Sequence, residues 1–99
     1  KNQAWYKDFV DACQGLMGSN SCGVYASKSQ WEGLFGTSEF VYGSDLGLPL
    51  WYAHYDNDPS FDDYPKYSFG GWDKPWAKQY FGDASVCDFN VDLNYAPYA

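Results

Sequence analysis

Four short apolar or aromatic runs in this chain each end in polar or aromatic groups that can contact a ligand. Strands that present functional groups from their carboxyl ends are typical of open α/β sheets and β/α barrels. The repetition therefore predicts a ligand-binding face built from several strand ends. The segments are 23–27, 49–56, 77–80 and 87–94.

Aromatic residues make up 22% of the chain, with ten Tyr, seven Phe and five Trp. Large rings bury apolar area efficiently, so part of this content belongs to a core, and Trp72 and Trp76 are expected to pack under a long loop. Tyr and Trp also carry a polar group beside the ring. Such residues are common in carbohydrate sites, where rings stack on sugar faces. Composition alone leaves core packing and sugar binding both open.

The charge of the chain excludes several classes of partner. It has 13 acidic and 6 basic residues, a formal charge of −7, and every basic residue is Lys. Nucleic acids and anionic lipid surfaces both require clustered positive charge, so we expect neither as a partner. A neutral ligand, or a polymer with little negative charge, fits better. No apolar run approaches the roughly 20 residues of a membrane span.

No metal or cofactor site is predicted. His54 is the single histidine, and no cysteine pair combines with it at zinc spacing. The acidic run 56–63 lacks the spacing and the terminal Glu of a calcium loop, so it is interpreted as a solvated turn. Because no Ser or Cys nucleophile pattern accompanies His54, it is interpreted as structural rather than as a general base.

The three cysteines leave one without an internal partner. Cys13 and Cys22 are close enough in sequence for a disulfide from a helix end to the next strand, whereas Cys87 is either free or paired outside this segment. A disulfide, together with the acidity and the many aromatics, favours a secreted, lysosomal or phagosomal protein. The chain begins at Lys1 rather than Met, which predicts a processed chain or a fragment.

Periodicity predicts alternating helices and strands. Trp5, Phe9 and Cys13 recur at a spacing of four, which indicates a first helix, and Ser27 and Gly36 bound a second. Short apolar runs predict strands, and Gly- and Pro-rich segments predict loops. The last two strands are either antiparallel neighbours or parallel strands with an unusually short link. The predicted helices are 2–17 and 29–35, the strands 22–26, 50–55, 76–81 and 86–91, the turn 19–21, and the loops 37–48 and 56–75.

This order of elements is α/β in character. Along it, the residues resemble glycoside hydrolase family 25, the Chalaropsis-type lysozymes, and especially its eukaryotic members. The match is to the family's C-terminal half and covers almost the whole chain in the family's order. It rests on Gly-Val-Tyr at 23–25 with Ser27, on 31–36, on Pro-Leu-Trp-Tyr-Ala at 49–53 with 55–56, on 69–72 with Pro75, on Lys-Gln-Tyr at 78–80, and on Cys87 with 91–95.

The resemblance implies an irregular, TIM-like β/α barrel, of which residues 1–99 form a single incomplete segment of about four strands. It also implies that the full-length domain cleaves the β-1,4 bond after N-acetylmuramic acid in peptidoglycan. The family's catalytic Asp-x-Glu lies on a strand just before the helix where this chain begins, and no Asp-x-Glu occurs in residues 1–99. We therefore expect that the segment is not catalytically competent alone.

The resemblance also implies roles for individual residues. Asp92 matches an active-site carboxylate near the end of the last strand, with a secondary catalytic role; the alternative is a strand-end cap. Tyr25 is either a sugar contact or a core tyrosine. Gln79 and Asn94 are either sugar contacts or structural amides.

Strand alternation restricts which side chains of the segment 50–55 face a barrel interior. Either Trp51, Ala53 and Tyr55 point inward, or Tyr52 and His54 do. We prefer the first set because the small Ala53 leaves room for substrate.

The chain is alternatively a non-catalytic structural or sugar-binding subunit. Half a barrel exposes two strand edges and an apolar interior, which must be covered. The expected partners are peptidoglycan or a related amino-sugar polymer, together with either the missing N-terminal half or further copies of the chain.

Overall fold

A computed structural model describes residues 1–18 and 20–99. These residues form a four-stranded mixed sheet with helices, which confirms the α/β class. The predicted turn at 19–21 includes position 19, which lies outside the described residues. The elements are α1 Asn2–Met17, β1 Val24–Ala26, α2 Lys28–Phe35, α3 Tyr42–Asp45, β2 Leu50–Ala53, α4 Tyr64–Tyr67, β3 Ala77–Val86 and β4 Phe89–Tyr95.

The strands lie side by side in chain order, β1-β2-β3-β4. The β1–β2 and β2–β3 pairs are parallel, while β3 and β4 are antiparallel. Of the two arrangements predicted for the last two strands, the structure shows antiparallel neighbours joined as a hairpin. Cys87 and Asp88 both have positive φ, 51° and 66°, as a two-residue type I′ turn requires. The predicted bounds 86–91 were wrong, because the turn lies at 87–88 and the strand begins at Phe89.

The two longer helices follow their local signals. In α2, Ser27 Oγ accepts from the backbone N–H of Gln30 at 3.2 Å, and Gln30 Oε1 accepts from the N–H of Ser27 at 3.0 Å. This reciprocal capping box fixes the start of α2. The short helices α3 and α4 interrupt the segments that were predicted as loops.

The core lies between the helices and one face of the sheet. Trp31 is 2% exposed, and its indole N–H donates to the carbonyl of Phe40 at 3.2 Å. Trp72 is buried as predicted, and its indole donates to the carbonyl of Leu48 at 2.8 Å. Trp76 is 45% exposed, so the prediction that it packs under the long loop was wrong. The other buried members are Ala26, Phe40, Leu50, Tyr52, Tyr64 and Phe69.

A disulfide joins Cys13 on α1 to Cys22 just before β1, as the sequence allowed. It lies in a small second cluster with Val10 and Leu48. Cys87 is exposed at the hairpin turn and has no disulfide partner within residues 1–18 and 20–99. In the same residues, no helix is both long enough and apolar enough to cross a membrane.

Candidate functional site

The candidate site lies on the sheet face that points away from the core. Leu50 and Tyr52 are each 1% exposed against the helices, so alternation turns Trp51 and Ala53 to the other face. The parallel register places Tyr25 level with Trp51. The structure thus brings Trp51 and Ala53, rather than Tyr52, to the face that the sequence predicted for a ligand.

Gln79 is the centre of a hydrogen-bond network on this face. Its side chain is only 4% exposed. Its Oε1 accepts from the hydroxyl of Tyr25 and, at 2.8 Å, from that of Tyr55. Its Nε2 donates to Asp92 Oδ2 at 2.9 Å. Because a carboxylate only accepts, this contact fixes which end of the amide faces Asp92.

The remaining predicted residues join the same network. Asn94 Oδ1 accepts from the indole N–H of Trp51 at 2.9 Å, and the Trp51 ring lies 4.4 Å from that of Tyr25, centroid to centroid. The second oxygen of Asp92 accepts from the backbone N–H of Asp83 at 3.2 Å. The predicted site residues other than Ala53 therefore form one connected group, and Ala53 lines the adjoining cavity.

Burial raises the pKa of Tyr25, and the neighbouring hydroxyl of Tyr55 and the negative charge of Asp92 raise it further. Tyr25 therefore keeps its proton at neutral pH and acts as a hydrogen-bond donor. The site offers neutral hydroxyl, amide and indole groups around one carboxylate, a combination that suits a ligand rich in hydroxyl groups.

Lys78 forms a second cluster on the opposite face of β3. Its side chain is fully buried, and its Nζ donates to both oxygens of Asp56, at 2.8 and 3.0 Å, and to Asp63 Oδ1 at 3.0 Å. The carbonyls of Asp58 and Ser60 accept from the same Nζ at 2.8 and 3.1 Å. The interpretation of 56–63 as a solvated turn was therefore wrong for Asp56 and Asp63, because they hold a buried ammonium group.

His54 is attached to this second cluster. Its Nδ1 lies 2.7 Å from Asp63 Oδ2 and 3.4 Å from Asp56 Oδ2, and its ring lies 4.0 Å from that of Tyr67. His54, Asp56 and Asp63 bring possible metal-ligand atoms within 4.8 Å of one another. Lys78 contacts the same two carboxylates and supplies positive charge there. We therefore assign no metal to this group.

The charges of this cluster stabilise one another. Burial by itself would raise the pKa of Asp63, but hydrogen bonds from Tyr52, Lys78 and His54 hold it below its ordinary value. Burial by itself would lower the pKa of Lys78, but Asp56 and Asp63 raise it above its ordinary value. Burial, with the contact to Asp63, also raises the pKa of Tyr52.

These shifts predict how stability depends on pH. The contribution of Asp63 is complete above its ordinary pKa of 3.8 and is lost as the pH falls through its lower folded value. The contribution of Lys78 is complete below its ordinary 10.5 and is lost as the pH rises through its higher folded value. We expect the urea midpoint to fall below about pH 4, and less steeply in Asp63→Asn. The exposed Asp62→Asn is the control, and an equal effect of the two variants would contradict the assignment.

The sequence carries one signal for the Lys78 cluster. Lysine is almost never fully buried unless it is paired. Lys78 lies inside a short predicted strand, directly before Gln79, and the acidic run 56–63 supplies candidate partners. A lysine within a buried strand, together with an unexplained acidic run, predicts such a pair.

The fold and the site define the class of protein: an α/β protein with a polar, aromatic face on which a buried glutamine holds one carboxylate. Comparisons then give the family. The family model described as Lysozyme-like protein 1 matches residues 1–80. The chain belongs to this lysozyme-like family, with relatives among the family 25 lysozymes of eukaryotes. The matched range includes Gln79 and ends before β4.

The relatives come from Dictyostelium discoideum. The chain is 45% identical to Counting factor 45-1 over 95% of its own length and 29% of that protein. It is 47% identical to Probable GH family 25 lysozyme 2, over 98% of its own length and 42% of that protein. The chain therefore spans less than half the length of these curated relatives. No solved structure matches.

Proposed function

We propose that the full domain containing this chain is a lysozyme that cleaves the β-1,4 bond after N-acetylmuramic acid in peptidoglycan. In this proposal the chain supplies part of the sugar-binding face and one active-site carboxylate, Asp92. The observation that carries it is the buried Gln79, which ties Asp92 to the hydroxyls of Tyr25 and Tyr55 on an open face. Four relatives are named as probable family 25 lysozymes, which supports the reaction class.

Glycoside hydrolysis requires an acid that protonates the leaving oxygen and a second group near the anomeric carbon. Asp92 is held by a neutral amide and a backbone N–H, and no cation of the described residues forms an ion pair with it. A fixed negative charge at this place favours the positive charge that develops on the sugar ring in the transition state. No Asp-x-Glu occurs in residues 1–99. In this proposal the acid and its partner therefore come from a part of the full domain outside these residues.

The sheet edge supports a larger barrel in the same proposal. Among the described residues, β1 pairs in the sheet only with β2, so its other edge is open to a further strand. A strand paired there in parallel would present its carboxyl end beside Tyr25. We propose that the family's acid pair occupies that strand. The Cys13–Cys22 disulfide supports the further proposal that the protein works in a secreted or phagosomal compartment.

A non-catalytic role is the second candidate. Two relatives are named counting factors rather than lysozymes. On α1, the rings of Trp5 and Phe9 are exposed and stacked, with their centroids 5.4 Å apart. For this candidate, these rings and the open edge of β1 form the contact surface for a second copy of the chain. In this case the same sugar-binding face would bind the polymer without cleaving it.

Digestion of purified peptidoglycan by the full-length protein separates the two candidates. A lysozyme of this specificity creates new reducing ends on N-acetylmuramic acid, which mass spectrometry of borohydride-reduced products identifies. New ends on N-acetylglucosamine would contradict the proposed bond. Polymer binding without any new reducing end, by a protein that elutes as an oligomer, would favour the non-catalytic candidate.

A further inference from the structure

A cavity of about 280 Å³ adjoins the network around Gln79 at the carboxyl ends of β1 and β2. Two of its walls, Tyr25 and Tyr55, belong to that network. The rings and the methyl group of Ala53 give it an apolar side. The polar side comes from three residues that the predicted site did not include: Ser27, Gln30 and His54.

The imidazole of His54 is oriented before any ligand binds. The Asp63 carboxylate only accepts hydrogen bonds, so the Nδ1 that lies 2.7 Å from it carries the proton. In the neutral ring, Nε2 is then an acceptor. It makes no hydrogen bond to any other described residue. Stacking on Tyr67 at 4.0 Å restricts rotation of the ring.

Gln30 supplies the complementary donor. The backbone N–H of Ser27 donates to its Oε1 at 3.0 Å, so the amide oxygen must face the helix start. The Nε2 of Gln30 therefore points away from that contact, and it has no acceptor within residues 1–18 and 20–99. The cavity is thus lined by one residue with a free acceptor nitrogen, one with a free donor nitrogen, and the methyl group of Ala53.

We propose that this cavity is a recognition pocket for the acetamido group of an N-acetylated amino sugar. His54 Nε2 accepts from the amide N–H, Gln30 Nε2 donates to the carbonyl oxygen, and the methyl group lies against Ala53. An acetamido group offers one donor, one acceptor and one methyl, which matches these three wall groups. The inference rests on the amino-sugar substrate proposed above. It assigns His54 and Gln30 as residues that determine specificity.

The test compares two neutral tetrasaccharides on the full-length protein. Chitotetraose carries an acetamido group where cellotetraose carries a hydroxyl, and calorimetry gives the ratio of their dissociation constants. We expect wild type to prefer chitotetraose, and His54→Asn to reduce the ratio about two- to tenfold, as for one lost hydrogen bond. Asn keeps a donor toward Asp63 but has no atom in the place of His54 Nε2. Gln30→Glu, which keeps the acceptor for Ser27, should have a similar effect.

A second cavity also touches His54, and Glu32 lines it while taking no part in the first. Glu32→Gln is therefore the matched control and should leave the ratio unchanged. The inference is overturned if wild type shows no preference, if the His54 and Gln30 variants keep the wild-type ratio while unfolding cooperatively, or if Glu32→Gln lowers it equally. If the wild type cleaves peptidoglycan while the His54 and Gln30 variants keep its ratio of dissociation constants, this inference alone is overturned. A His54-dependent preference without cleavage would overturn the lysozyme activity alone.

Discussion

Replacing Lys78 by Met is expected to lower the free energy of unfolding by about 3 kcal/mol, because breaking a buried ion pair leaves its partners uncompensated. Met preserves most of the buried chain volume but removes the ammonium group that Asp56 and Asp63 share. The two carboxylates then face each other without a cation. Their side chains keep 24% and 11% exposure, so we use the lower end of the range for buried pairs.

Urea unfolding followed by tryptophan fluorescence measures this loss. Lys66→Met is the matched control, because Lys66 is exposed, its Nζ forms no ion pair with a described residue, and it lies 6.0 Å from the ring centroid of Tyr67. We expect the control to change stability by less than about 0.5 kcal/mol. Adding Asp63→Asn to Lys78→Met should recover part of the loss, since one uncompensated charge is removed. Equal midpoints for the two lysine variants would show that the cluster does not stabilise the fold.

The sequence predicted the elements whose signals are local. The Ser27 cap of α2 and the apolar runs at 50–53 and 77–80 are each contained within a few residues. The helix α1 was also predicted, but its spacing did not reveal which apolar residues are buried. Val10 is buried, whereas Trp5 is 66% exposed, because tertiary packing decides which stripe is covered.

The predicted bounds of the last two strands were wrong because the dipeptide Gly82-Asp83 fits either a turn or a bulge inside a strand. Gly82 and Asp83 indicate a turn, and the sequence prediction ended a strand just before them. In the structure they lie inside β3, where the register with β4 shifts, so they form an irregularity of the bulge type. A Cβ at position 82 would lie 3.1 Å from the ring of Tyr55, and Asp83 has φ 62°. Only the long-range pairing with β4 distinguishes this bulge from a turn.

The ligand face and the Lys78 cluster also differ in how far the sequence could predict them. Strand alternation and the shared level of Tyr25 and Trp51 follow from general sheet geometry, so the ligand face could be predicted. The Lys78 cluster depends on how the segment 56–63 folds back under β3. The contacts of Lys78 span 15 to 22 residues along the chain, so the sequence indicates that Lys78 pairs with the acidic run but not which carboxylates it contacts.

Asp92→Asn is expected to reduce the rate of peptidoglycan cleavage by the full-length protein about 10²-fold, the lower end of the range for removing one preorganised electrostatic group. The loss should fall on kcat with little change in KM, because the charge acts on the transition state rather than on the bound sugar. A small loss of stability accompanies it. An Asn side chain has one oxygen for the two donors, Gln79 Nε2 and the N–H of Asp83, so one hydrogen bond is lost, at about 1 kcal/mol.

Asp88→Asn is the control that separates the loss of the negative charge at Asp92 from a change in the net charge of the protein. It makes the same charge change in the same hairpin, and Asn tolerates its positive φ of 66°. Asp88 lies in the turn, outside the network of Gln79, so its variant should cleave at the wild-type rate. If both variants lose activity equally, net charge rather than position is responsible. If neither loses activity, Asp92 only holds the Asp83 bulge and Gln79 in place, and the negative charge required beside the anomeric carbon comes from another residue of the full domain.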